Sequence, residues 1–84
     1  MLIYTDSRLM AENVRYLRKR KKMSREAFSK YIGMSGNHLY CVERGLVNYI
    51  DSECLNSIGE KFGIPTETLL TEDLTEKYKG KRIC

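Results

Sequence analysis

Between Ser24 and Gly45 the chain has room for two short helices and one tight turn. Ser24 is a good helix N-cap, Glu26 follows in the first turn, and Phe28 and Ile32 share one face of the helix it opens. Gly33 comes next, where a helix commonly ends on a left-handed residue. Only Met34 separates it from a second cap, Ser35. A further helix then runs from about Gly36 to Arg44, with Leu39 and Val42 inward, and Gly45 closes it. Two short helices joined by a tight glycine-containing turn make a helix-turn-helix. The residue sizes suit one: Ser29 is small where the axes cross, Gly33 takes the turn, and Leu39 is the buried aliphatic residue of the following helix.

The flanks read as helices too. Thr5, Asp6 and Ser7 offer caps for a first helix, whose apolar stripe is Met10, Val14 and Leu17. Residues 46–50 form a connection. Asp51 or Ser52 caps a fourth helix bearing Leu55, Ile58 and Phe62, which stops at Gly63. Ile64-Pro65-Thr66 leads into a short fifth helix with Leu69 and Leu70. Leu2-Ile3-Tyr4 reads equally well as a short strand or an apolar patch. A chain of 84 residues holds one core. The expectation is an all-α, compact five-helix domain over residues 7–71. An N-terminal arm at 1–6 precedes it, and a charged C-terminal tail at 72–84 follows, of which 77–84 reads as mobile.

The net charge of +4 hides a polarised chain. Residues 1–50 hold ten basic and four acidic residues, residues 51–76 one basic and seven acidic, and residues 77–84 four basic. Between Arg15 and Arg25 lie seven cations and no acid. Some of these cations complement the dipole of the first helix at its C-terminal end. So concentrated a basic segment also suits an anionic polymer. Apolar residues make up 42%, enough for a packed core, and no apolar run approaches a membrane span. The N-terminal residues lack the basic and apolar regions of a secretory leader, so none is expected.

Chemistry-bearing residues are sparse. The three cysteines, Cys41, Cys54 and Cys84, and the lone His38 fall short of a four-ligand zinc site, and no metal or other cofactor is expected. No glycine-rich phosphate loop and no hydrolase or metalloprotease signature occurs. A Cys41–His38 nucleophilic pair would lack an orienting third group and a body large enough for a pocket. No enzymatic activity and no small-molecule substrate are expected.

The stretch MSREAFSKYIGMSGNHLYCVERG, residues 23–45, resembles the helix-turn-helix core of the Xre/Cro-type phage-repressor family, and the likeness extends over roughly residues 11–70. Leu17-Arg18 before it and LNSIGEKFGIPTETLL after it agree. The resemblance implies a lambda-repressor-like domain, with its helix-turn-helix at helices 2 and 3, that reads the major groove of double-stranded DNA. It further implies a transcriptional regulator, most simply a repressor and a homodimer. Such a protein would be cytoplasmic and nucleoid-associated, prokaryotic or phage-encoded.

Position by position, the resemblance gives Gly36, Asn37, Tyr40 and Cys41 as groove-facing. Asn37 is the best direct reader, since its amide matches adenine N6 and N7. Gly36 offers only backbone and shape, and Cys41 only an apolar contact such as a thymine methyl. Ser24, Arg25, Ser35 and His38 are assigned to phosphates, with Arg44 and Asn48 near the opposite phosphate wall. Arg18 and Glu43 match positions that form a structural ion pair between the first and third helices. Tyr16, Tyr31, Tyr49 and Phe62 read as core or rim. Leu69 and Leu70 read as core or, with Leu46 and Val47, as a dimer face. The weakly polar set Gly36, Tyr40 and Cys41 also admits a different class: a protein-binding antitoxin or adaptor module on the same scaffold.

Overall fold

The structure is a computed structural model and describes residues 1–78. Its elements in chain order are β1 (Leu2–Tyr4), α1 (Ser7–Arg20), α2 (Arg25–Ile32), α3 (Gly36–Glu43), β2 (Tyr49–Asp51), α4 (Ser52–Phe62), α5 (Thr66–Thr71) and α6 (Leu74–Lys77). The Cα radius of gyration is 11.4 Å, close to the ~12 Å of one packed body of this length.

Local chemistry sets the boundaries. Free N–H groups at each helix start need acceptors. The Asp6 carboxylate takes those of Arg8 and Leu9, and Asp51 takes that of Glu53. Ser24 Oγ accepts from Ala27 N and Ser35 Oγ from His38 N, both at 3.1 Å. α2 and α4 end on glycines in the left-handed region, Gly33 at φ 76° and Gly63 at φ 65°. Gly59 is needed for another reason. A Cβ there would lie 2.8 Å from Ile64 O, so any side chain would push the 63–66 connection off α4.

The core runs through every helix. Leu17, Phe28, Ile32, Leu39, Val42 and Ile58 are essentially inaccessible to solvent. Phe28, Tyr31 and Phe62 pack with ring centroids 6.1–6.5 Å apart, Tyr31 edge-on to Phe62. Leu69 is core, and Leu70 and Val47 pack against the core in part. Of the residues considered for a dimer face, only Leu46 is freely exposed, at 66%.

The molecule is mostly helical, but it is neither all-α nor limited to five helices. β1 and β2 pair antiparallel with Ile3 opposite Ile50, and the ladder is extended by Ser52 N donating to Met1 O and Thr5 N to Asn48 O. Ile50 is fully buried, while Leu2 and Tyr4 remain exposed at 47% and 69%. The period-2 alternation buries one face of a short ribbon and leaves the other wet. Residues 1–6 therefore do not form a free arm, and residues 46–50 carry the start of a strand.

The second correction concerns the charged tail. Asp73 caps a sixth helix, Leu74 is fully buried, and α6 packs on α1. The remainder of that tail, 79–84 with Cys84, lies outside the described residues.

Candidate nucleic-acid interface

α2 and α3 meet at a turn whose parts interlock. Met34 N donates to Ser29 O at 2.9 Å, which satisfies the end of α2, and Met34 is 95% buried beneath the turn. Ser29 is buried as well, and its hydroxyl donates back to Glu26 O. A Cβ at Gly36 would stand 4.0 Å from Ser29 Oγ, ordinary contact, so a small residue at 29 is what lets the start of α3 come this close.

With Leu39 and Val42 inward, α3 presents Gly36, Asn37 and Tyr40 outward as exposed residues, and Cys41 at its half-buried margin. Its far end is anchored to α1. Arg18 Nε donates to Glu43 Oε2 at 2.8 Å, Nη2 to Oε1 at 2.9 Å, and Nη1 to Met23 O at 3.1 Å. Glu43 is 3% exposed, so this two-pronged pair fixes α3 on α1 and leaves neither charge for a ligand.

The cations around α3 are not spread as the linear run suggests. Arg25 at the start of α2 and Arg44 at the end of α3 converge on Tyr40, with guanidinium carbons 4.9 and 5.5 Å from its ring centroid. Neither has a carboxylate partner among the described residues. Arg44, expected near the opposite phosphate wall, lies against the same ring as Arg25. Lys21 turns elsewhere, its ammonium 5.8 Å from the Tyr31 ring and 5.7 Å from Phe62, so part of the basic run caps the aromatic cluster.

Beside the Arg18–Glu43 anchor an open cleft of about 550 Å³ is lined by Arg8, Glu12 and Arg15 of α1 and by Glu43, Arg44 and Gly45, with Arg8 paired to Glu12. A spacing of seven, two helical turns, places Arg8 and Arg15 on one face of α1.

His38, assigned to phosphate, is half-buried. Its ring lies 5.7 Å from that of Tyr49, and Nε2 is buried without a hydrogen-bond partner. The imidazole faces the body of the protein because β2 brings Tyr49 against α3. Asn48 is exposed five residues past α3, its carbonyl accepting from Thr5 N. Ser24 and Ser35 are exposed caps, and each hydroxyl keeps its proton for a further acceptor.

Among the described residues no group of three His, Cys, Asp or Glu side chains could hold a metal ion. Cys54 donates to Gly33 O at 3.5 Å, and burial, with smaller contributions from the Asp51 and Glu53 charges, pushes its thiol above the ordinary range. That is the opposite of an activated nucleophile. No described helix is long and apolar enough to cross a membrane. No protein-family model, curated protein or solved structure matches the chain.

Proposed function

We propose that the chain is a sequence-specific, double-stranded-DNA-binding transcriptional regulator. On this reading it is a lambda-repressor-like helix-turn-helix domain of the Xre/Cro type, extended by the β1–β2 ladder and α6. The observation that carries the proposal is the α2–α3 unit. Its turn buries Met34 and Ser29 and leaves Gly36, Asn37 and Tyr40 exposed on α3, flanked by two guanidiniums with no carboxylate partner among the described residues. A helix presented in this way enters the major groove, where side chains reach base edges while flanking cations meet phosphates. Asn37 is the reader. Gly36 lets the α3 backbone approach closely, and Cys41 adds an apolar edge.

The acidic residues of 51–76 lie mainly in α4 to α6, which pack on α1, α2 and one another, whereas α3 packs on α1 and α2. The reading includes a homodimer, because one domain of this size spans too few base pairs, and exposed Leu46 suits a contact between copies. It also includes repression by occlusion, in the compartment where the chromosome or phage genome lies.

Selection of bound fragments from a genomic library, followed by fluorescence anisotropy on the selected duplex, tests the proposal. Affinity should fall on the order of 100-fold between roughly 50 and 200 mM salt, as about four phosphate contacts would give. Asn37→Ala should cost about 1–3 kcal/mol on that duplex and much less on unrelated DNA. Added to it, Arg25→Ala should weaken binding about three- to tenfold further. If the double variant binds as tightly as the parent, this face does not touch DNA. Retention of a protein partner at high salt would then assign it to an adaptor or antitoxin role.

A further inference from the structure

We infer that Tyr40 is the platform of a two-arginine phosphate clamp: its ring holds the Arg25 and Arg44 guanidiniums together against one strand of the DNA backbone, and it reads no base. The inference rests on the DNA-binding reading above and gives Tyr40 a different part in it.

Arg25 and Arg44 are nineteen residues apart, on different helices, yet both lie against one ring, at 4.9 and 5.5 Å. The two carbons are therefore no more than about 10 Å apart, close to the ~8 Å Debye length at physiological salt, and they repel. Four other described cations have acids beside them: Arg8 has Glu12, Arg18 has Glu43, Lys30 has Glu26, and Lys77 has Glu72, whereas Lys21 and Lys61 meet at the Tyr31 ring. Glu26 and Glu43, the acids next in sequence to Arg25 and Arg44, are the ones occupied by Lys30 and Arg18. Two guanidiniums held at one ring, with no carboxylate partner among the described residues, form an arrangement that a neighbouring anion relieves.

Contact with an aromatic ring also leaves the guanidinium N–H donors available, which a carboxylate partner would occupy. Tyr40 is 38% exposed, with two cations against its ring. Its own approach to a base edge is correspondingly blocked. The two arginines thus act on a single backbone rather than on opposite walls of the groove.

The test uses fluorescence anisotropy on two fluorescein-labelled duplexes of unrelated sequence, titrated across a salt series. Arg25→Ala and Arg44→Ala should each lower the salt slope by about one and weaken binding about three- to tenfold. Tyr40→Leu, though it removes no charge, should weaken binding by a similar factor, equally on both duplexes, and lower the slope by about one. Tyr40→Phe keeps the ring and should leave slope and affinity at the parent values. In the Arg25→Ala/Arg44→Ala background, Tyr40→Leu should change nothing further. Thermal melts matching the parent exclude loss of fold as the cause. An unchanged slope for Tyr40→Leu, or a loss confined to one duplex, overturns the clamp while leaving DNA binding intact. Failure of the parent to bind either duplex at the lowest salt overturns the DNA-binding reading instead.

Discussion

Asn13→Ala is expected to lower the stability of the fold by about 3–5 kcal/mol, as read by urea denaturation followed at 222 nm. Asn13 is 1% exposed in the middle of α1. Its Nδ2 donates to Leu69 O at 2.9 Å and Glu72 O at 2.8 Å, and its Oδ1 accepts from Leu74 N at 3.0 Å. One amide thus satisfies the end of α5 and the start of α6, where a two-residue link leaves backbone groups without helical partners. Truncation strands two carbonyls and an N–H, at about 1–3 kcal/mol for each buried group. A chain of this length holds only about 4–13 kcal/mol in total, so much of its stability is at stake. Asn13→Asp should be at least as damaging, because a carboxylate would face the Leu69 and Glu72 carbonyl oxygens. A loss below about 1 kcal/mol for both variants would mean that water takes over these groups and the amide fastens nothing.

Glu43→Ala should cost a similar amount, about 3–5 kcal/mol, because it leaves the Arg18 guanidinium largely buried with only Met23 O to meet it. The informative comparison is the double variant Arg18→Met/Glu43→Leu. Replacing a buried ion pair with apolar residues of similar volume is often close to neutral, so the double variant should regain most of what the single one loses. A double variant as unstable as Glu43→Ala would show that the charges are not the source of the cost. The pair also fastens the end of α3 to α1, and Arg44 follows Glu43 directly. Glu43→Ala should therefore disturb DNA binding even under conditions where the protein remains folded.

The helices were legible in the sequence because their ends are written in short-range chemistry. Ser24, Ser35 and Asp51 cap within three residues, and Gly33 and Gly63 supply a backbone conformation that few other residues accept. What escaped depends on partners far along the chain. Leu2-Ile3-Tyr4 becomes a strand because Tyr49-Ile50-Asp51 runs beside it, and no local signal favours a strand over an apolar patch. α6 has one apolar anchor, Leu74, inside a polar segment, too few residues for periodicity to register.

Asn13 did leave a trace. It sits three residues after Met10 and next to Val14, on the buried stripe of α1, and a polar residue on such a stripe needs an internal partner. In the candidate interface, exposure at Gly36, Asn37 and Tyr40 follows from helical spacing. The inward turn of His38 and the meeting of Arg25 with Arg44 are tertiary facts that spacing does not carry.

The β1–β2 ladder ties residues 2–4 to residues 49–51, so α1, α2 and α3 lie inside one loop. Closing a loop of that length in an unstructured chain costs about 3 kcal/mol in entropy, more than a three-residue ribbon returns on its own. The ladder is therefore expected to zip after helix packing has drawn its strands together and to part first on thermal opening. Amide exchange should register that order, with the Thr5 amide, bonded to Asn48 O, exchanging well before those of Val14 and Leu17. Equal protection at all three would mean that ladder and helices open as one unit. The expected order would make the N-terminal segment a latch that lifts without unfolding the domain beneath it.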